Sequence, residues 1–96
     1  MLDETFLSAI GHPVRLAALV LFEHTPSSAR ELGEHVGLSP SAALYHVRKL
    51  WKAGLVEPQE VRRRRAFEER VWRTTTKGWT ELDRLLRAAA PPGHRV

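Results

Sequence analysis

Most of the positive charge in this chain of 96 residues lies in one contiguous third. Residues 45–77 contain ten lysines and arginines against four glutamates, a net charge of +6, whereas the remaining residues have a net charge of −2. Two groups of cations stand out within that third: Arg48, Lys49 and Lys52, and the arginine run at residues 62–65. Guanidinium and ammonium groups bind phosphate oxygens, so this charge pattern predicts a polyanionic partner.

The first group of cations belongs to a helix that we predict over residues 40–53. Gly37 suits the left-handed residue that ends a preceding helix, Ser39 can cap the next helix, and Pro40 suits its first turn. Gly54 then ends the helix. With a shorter helix before the turn, residues 27–56 form a predicted helix-turn-helix.

A helical wheel divides this helix into two faces. Ala43, Val47 and Leu50 fall on one stripe, which predicts the side packed against the core. The other side carries hydroxyls, a phenol and cations, from Ser41, Ala42, Tyr45, Arg48, Lys49 and Lys52. The major groove of DNA admits a helix with such a face, because these groups reach base edges or phosphates. An ordinary solvated surface helix has the same pattern.

Apolar spacing and turn signals predict the other elements. Helices are expected over residues 3–10, 13–24 and 30–36, the last with Ser27 or Ser28 as its cap. Two strands, at residues 55–61 and 66–74, flank the arginine run and form a hairpin with a basic tip. Pro58 limits the first strand to an edge or an end. A threonine at position 75 or 76 caps a last helix, which ends at residue 90 before two prolines.

The predicted order of helix, helix, helix, helix, basic hairpin and helix is that of a winged helix-turn-helix, a mainly α fold with a small β-hairpin. The length suits one domain over residues 1–92, with a tail at residues 93–96. The helix over residues 13–24 is apolar on most sides. It is therefore either central to the core or partly covered by another subunit.

Several kinds of chemistry are disfavoured by the sequence. There is no cysteine, hence no disulfide, thiolate metal site or thiol redox switch. The histidines have no ligand spacing, so neither a metal nor another cofactor is expected. Ser41 and His46 point to different faces of one helix, and no other arrangement supports catalysis, so we do not expect an enzyme.

A membrane location is also not expected. No apolar run approaches the ~20 residues needed to span a bilayer. The first residues include Asp3 and Glu4 rather than the cations of a signal sequence. We expect an intracellular, cytoplasmic protein.

The sequence resembles the ArsR-like group of bacterial winged-helix regulators along nearly its whole length. Residues 11–16, Gly-His-Pro-Val-Arg-Leu, are similar to the family's Asp-Pro-x-Arg-Leu opening, with histidine where an aspartate often stands. Residues 37–50, Gly-Leu-Ser-Pro-Ser-Ala-Ala-Leu-Tyr-His-Val-Arg-Lys-Leu, and the following Ala-Gly-Leu-Val resemble its recognition helix. Residues 65–73 are similar to the strand that returns from its wing, with Trp72 at the usual tyrosine position.

This resemblance implies a homodimer whose first and last helices pack across a two-fold axis. Two recognition helices then enter successive major grooves of double-stranded DNA, and the wings reach the flanking minor grooves. The interface residues expected on this basis are Leu2, Phe6, Ile10, Trp79, Leu82, Leu85 and Leu86. Burial of these residues within a monomer is the alternative.

The expected DNA contacts lie on the recognition helix and the wing. They are Ser39, Ser41, Ala42, Tyr45, Arg48, Lys49, Lys52, Arg62, Arg63, Arg64 and Arg65. Ser39 has the alternative role of a helix cap alone. His46 is expected to be structural, and Trp51 to belong to the core.

The sequence thus predicts a transcriptional regulator, a repressor by occlusion, that reads a roughly palindromic operator with half-sites ~34 Å apart. Two alternatives stay open: a winged-helix module for protein interaction or dimerisation, and a non-specific DNA-binding protein. An effector or a protein partner is also open, and no residue pattern identifies either.

Overall fold

The computed structural model describes residues 11–64 and 67–89, which form four helices and three strands. In chain order these are α1 (Pro13–His24), β1 (Ser27–Ser28), α2 (Ala29–Val36), α3 (Pro40–Lys52), β2 (Val56–Arg64), β3 (Phe67–Thr74) and α4 (Thr76–Ala89). The helix predicted over residues 3–10 and the predicted tail lie outside the described residues. The mainly α fold of a winged helix-turn-helix is confirmed.

The helix-turn-helix is set by local capping signals. Ser28 caps α2 in a capping box: its hydroxyl accepts from the Glu31 amide, and the Glu31 carboxylate accepts from the Ser28 amide. Gly37 ends α2 in the left-handed conformation, with φ 79°. The Ser39 hydroxyl then accepts from the Ala42 amide and begins α3. These contacts satisfy helix-end amides that would otherwise lack partners, which fixes the turn between the two helices.

The three strands form one antiparallel sheet in the order β1-β3-β2. Residues 27 and 28, predicted only as a break and a helix cap, also form a short strand. Ser27 pairs with Trp72 and Ser28 pairs with Val71, because β3 offers them its second edge. Pro58 lies on β2, an outer strand, next to a register shift, in agreement with its predicted edge position.

The hairpin is longer than predicted. β2 continues to Arg64, so three of the four consecutive arginines lie in a strand and only residues 65 and 66 separate β2 from β3. Arg62 lies opposite Glu69, and Arg63 lies opposite Glu68. Opposite charges at opposed positions of a strand pair favour the pairing of β2 with β3 in the arginine run.

The core lies between the helices and one face of the sheet. The inner stripe of α3, Ala43, Val47 and Leu50, is fully buried as predicted. It packs in one cluster with apolar residues of α1, α2, the sheet and α4, including Leu19, Phe22, Leu32, Leu55, Trp72 and Leu82. The remaining faces of α3 are therefore presented to solvent or to neighbouring side chains.

Trp51 is not a core residue, contrary to the prediction. Its side chain is 48% exposed, and its ring makes a T-shaped contact with the buried Trp72 ring, with the centroids 5.1 Å apart. Position 51 lies between the inner stripe and the outer face of α3, where it covers Trp72 without being enclosed itself. None of the helices in residues 11–64 and 67–89 is long and apolar enough to cross a membrane.

Candidate nucleic-acid interface

The outer face of α3 carries the predicted polar and cationic residues on the surface. Ser41, Tyr45, Arg48, Lys49 and Lys52 are exposed, and Ala42 is half-buried. The Lys49 ammonium lies 5.5 Å from the centroid of the Tyr45 ring, a distance at which the ring attracts a cation. One helix thus presents hydroxyls, a phenol and three cations together.

The carboxyl end of α3 is held by the start of α4. The Lys77 ammonium donates to the Ala53 carbonyl oxygen at 3.1 Å, which places a cation at the negative end of the helix dipole. The Thr75 hydroxyl donates to the Gly54 carbonyl oxygen at 2.8 Å. The Thr75 amide donates to Leu55 at 3.0 Å. The sequence has no local signal for this junction, because it joins segments twenty or more residues apart.

A hydrogen bond from α1 holds the side of α3 that faces it. Arg15 Nε donates to His46 Nδ1 at 3.1 Å, and the His46 ring lies 4.4 Å from the ring of His12. Burial lowers the pKa of His46 below its ordinary value, and the charges of His12 and Arg15 lower it further. His46 therefore packs as a neutral acceptor, which agrees with the predicted structural role.

The cations of α3 have no carboxylate partners in the part of the chain that the structure describes. Arg48, Lys49 and Lys52 are exposed and form no ion pair with any described residue, and the Lys49 ammonium lies near the Tyr45 ring. A cation without a carboxylate partner can neutralise a phosphate without first breaking an ion pair. The structure thus gathers the predicted α3 contacts on one free surface; their role in DNA binding stays a prediction.

The arginines of the wing differ from one another. Arg62 Nη2 donates to the Glu31 carboxylate, so this side chain is tied to α2. Arg63 lies 3.7 Å from Glu68, and both side chains are largely exposed. The side chain of Arg64 and the whole of Arg65 lie outside what the structure describes. The prediction that Arg62 belongs to the hairpin tip is therefore wrong, because Arg62 lies within β2 and faces an acid of α2; its contact with DNA stays a prediction.

The sequence analysis assigned no role to Arg70, although it counted its charge. Arg70 is exposed on β3 and forms no ion pair within the described residues. It lines a groove between the start of α3 and the sheet, together with Ser41, Leu44 and Trp72. The available signal was strand alternation, which places Arg70 on the face of β3 opposite to Glu69 and Val71.

The predicted interface residues of the last helix fall into two groups. Trp79 and Leu86 are 44% and 58% exposed, as an unpaired interface requires. Leu85 is partly buried, and Leu82 is only 2% exposed because it packs into the core of its own chain. Leu2, Phe6 and Ile10 lie outside the described residues. Among the described residues of this set, Trp79 and Leu86 offer the most side-chain surface to a second copy.

The described residues offer no evident metal site. No group of three or more histidines or carboxylates within residues 11–64 and 67–89 could hold an ion. Ser41 is exposed on the outer face of α3, whereas His46 is directed to Arg15, so these two residues do not form a nucleophile and base pair. The geometry of the described site is suited to binding.

Comparison with a family model agrees with this geometry. A model described as winged helix-turn-helix DNA-binding matches residues 21–57, which extend from the last turns of α1 to the start of β2. The match contains the complete helix-turn-helix. No curated protein matches the sequence.

Solved structures share the fold over most of its length. Reduced HlyU from Vibrio cholerae has a TM-score of 0.68 at 23% identity, with 91% of this chain and 87% of HlyU covered. A structure described as a possible transcriptional regulator for arsenical resistance has a TM-score of 0.68 at 27% identity, covering 90% of this chain and 84% of that chain. A homodimeric winged helix-turn-helix DNA-binding domain from Mycobacterium bovis, described as a possible ArsR-family regulator, has a TM-score of 0.67 at 19% identity, covering 96% and 84%. The predicted resemblance to ArsR-like regulators is confirmed.

Proposed function

We propose that this winged helix-turn-helix chain, similar to ArsR-like regulators, is a transcriptional repressor that binds a palindromic DNA operator as a homodimer. One observation carries the proposal: α3 presents Arg48, Lys49 and Lys52 on one surface without carboxylate partners in the described residues. The helix itself is held at its start, at its end and on one side. A fixed helix with a free cationic face is suited to the major groove.

Position along α3 divides the roles of its residues. Ser41 and Tyr45 lie in the first turns, where residues of a recognition helix reach base edges. Arg48, Lys49 and Lys52 lie later and are placed to neutralise phosphates. Ala42 can contact a thymine methyl group, or its small side chain can allow α3 to approach the bases closely. The Ser39 hydroxyl accepts from the Ala42 amide, and its own proton is still available to a phosphate.

The wing supplies a second set of contacts. Arg63 is exposed, and its distance of 3.7 Å from Glu68 makes a weak surface ion pair that a phosphate can replace. Together with Arg64 and Arg65, it would place cations in a narrow minor groove beside the site that α3 occupies. The contacts of the wing increase affinity and make binding depend on the width of the minor groove. The residues of α3 contact the bases and so determine the sequence that is bound.

Homodimer formation is supported by the exposed apolar residues of α4. Trp79 and Leu86 expose apolar surface that a second copy would cover. The similar Mycobacterium bovis domain is described as homodimeric. A two-fold dimer places two recognition helices about one DNA turn apart, ~34 Å, which selects a palindrome. Occlusion of a promoter requires only that the bound dimer cover it.

The proposal is tested by selection of binding sites from random duplex DNA. The affinity for the selected duplex and for a scrambled duplex is then titrated against salt. We expect a palindromic consensus, bound at least ~10³-fold more tightly than the scrambled duplex. Equal and steeply salt-dependent binding to both would instead favour a non-specific DNA-binding protein. Absence of binding to either would favour a protein-interaction module.

The dimer is tested separately by sedimentation. Trp79→Glu together with Leu86→Glu should convert a dimer to a monomer, because burying two carboxylates in an apolar interface is costly. Val61→Glu is the matched control, since Val61 is similarly exposed but lies on β2, remote in sequence from α4. A wild-type protein that sediments as a monomer at all concentrations would contradict the two-fold operator.

A further inference from the structure

We infer that Arg62 is a positioning residue: its ion pair with Glu31 fixes the wing to α2, so that the wing and the recognition helix meet DNA at one preset angle. The inference rests on the proposed DNA binding. It assigns Arg62 a role different from that of a phosphate contact, which the sequence alone suggested. It also makes Glu31, an acid, a contributor to DNA affinity.

One carboxylate oxygen makes the connection. Glu31 Oε1 accepts from the Ser28 amide at 2.8 Å and also from Arg62 Nη2. The Ser28 hydroxyl in turn accepts from the Glu31 amide at 3.1 Å. The carboxylate that caps the start of α2 therefore also binds strand β2. Movement of the wing strand away from the helix-turn-helix would break a charge-assisted hydrogen bond and weaken a capping box.

A second ion pair joins the same two parts of the fold. Arg30 donates to both oxygens of the Glu69 carboxylate, at 3.0 and 3.2 Å, and to Glu34 at 2.8 Å. Glu69 is 8% exposed and lies opposite Arg62 in the register of β2 and β3. α2 thus binds one side chain from each strand of the wing. Bidentate pairs between arginine and a carboxylate restrict direction as well as distance, so the two pairs resist rotation of the hairpin.

The surroundings of Arg62 leave less of its side chain for a phosphate than those of Arg63 do. Its Nη2 is bound to Glu31, and its Nε is buried with no hydrogen-bond partner within the described residues. The Arg62 side chain is 37% exposed, compared with 80% for the neighbouring Arg63. Arg63 is therefore better placed to meet DNA, and Arg62 to hold the strand that carries it.

The ion pair is present under neutral conditions. Burial raises the pKa of Glu31, but hydrogen bonds from the Ser28 amide and from Arg62 lower it, and the net result is a pKa below the ordinary value. The carboxylate is consequently ionised at neutral pH. A preset wing reduces the ordering that DNA binding must otherwise produce, and reduced ordering increases affinity.

The test compares the affinity and salt dependence of Glu31→Gln, Arg62→Ala and the double variant. Glutamine keeps the oxygen that caps α2 but removes the charge that holds Arg62. Glu31→Gln raises the net charge by one, so electrostatics alone would increase affinity for DNA. We expect instead that each single variant lowers affinity by about tenfold and that the double variant is no weaker than either. The slope of log affinity against log salt should not change.

The contrasting result identifies a phosphate contact. If Arg62→Ala lowers the salt slope by about 0.9 and Glu31→Gln leaves affinity equal or higher, Arg62 binds DNA and the inference is wrong. Arg63→Ala provides the matched control, because we expect that variant to lower the slope by about one unit. Arg62→Lys keeps a cation beside Glu31 and should recover part of the lost affinity.

Hydrogen exchange on the free protein separates this inference from the proposed function. Loss of the ion pair should speed exchange of backbone amides in β2 and β3 around Arg62, in both Glu31→Gln and Arg62→Ala, with α3 unaffected. Unchanged exchange in both variants would overturn the inference. Faster exchange in a protein that binds no DNA would support the fixed wing and reject the proposed function.

Discussion

Loss of the unpaired cations on α3 should change the salt dependence of DNA binding by a defined amount. Arg48 and Lys52 are exposed and form no ion pair with any described residue, so each can neutralise one phosphate. Each neutralised phosphate contributes about 0.9 to the slope of log affinity against log salt. Replacing both by alanine should lower that slope by about 1.8. When the salt concentration rises fourfold, the affinity of the wild type should therefore fall by a factor about ten times larger than the affinity of the variant does.

Fluorescence anisotropy with a labelled duplex, measured between about 50 and about 200 mM salt, gives the slope directly. The control replaces Arg73 and Arg84 by alanine, which removes the same formal charge. Arg73 is held by Glu57 at 2.6 Å, and Arg84 is held by Glu81 at 3.2 Å. We expect the slope of the control to stay close to that of the wild type. Equal decreases in both double variants would mean that total charge, and not the outer face of α3, governs binding.

Two further predictions concern stability. Burial and nearby charge lower the pKa of His46 below 6.5 in the folded protein. As the pH falls, the unfolded chain therefore takes up a proton at His46 before the folded chain does. Stability should fall as pH drops through and below 6.5, and His46→Gln should flatten this dependence in thermal melts, whereas an unchanged profile would remove His46 as its source. Gly78→Ala would place a Cβ 2.2 Å from the Leu55 carbonyl oxygen and should cost about 2 kcal/mol or more. Gly37→Ala meets no atom within 4 Å and should cost only about 1 kcal/mol for its positive φ, so equal costs in urea unfolding would contradict the close packing of α4.

The helix-turn-helix could be predicted because its signals are local. Gly37, Ser39, Pro40 and Gly54 act within a few residues of their own positions, and the structure has the helix ends where these residues place them. The inner stripe of α3 follows from spacing alone. For the same reason, the exposed residues Ser41, Tyr45, Arg48, Lys49 and Lys52 could be named from spacing, whereas Trp51, at the border of the inner stripe, was wrongly expected in the core.

Pairings between distant segments could not be predicted in the same way. Arg62 and Glu31 are 31 positions apart, and Arg30 and Glu69 are 39 apart, so only the folded arrangement shows which cations are already bound. β1 contains two residues, and it is a strand only because β3 lies beside it. The charge of the basic third therefore follows from the sequence, whereas the ion pairs that already hold part of it, such as Arg62 with Glu31, do not.

The junction between α3 and α4 links the two parts of the proposed function. Lys77 donates to the Ala53 carbonyl oxygen at the carboxyl end of α3, and Gly78 packs directly against the Leu55 carbonyl, so the end of α3 and the start of α4 form one packed corner. In the proposed dimer, Trp79 lies one residue beyond that corner. The proposed two-fold contact would then be joined to α3 through the hydrogen bonds and packing of this corner, although the hairpin separates the two helices in sequence. Under this proposal, the spacing between half-sites is set by the corner itself, and a substitution at Gly78 that still allows folding should alter the preferred spacing before it alters the preferred bases.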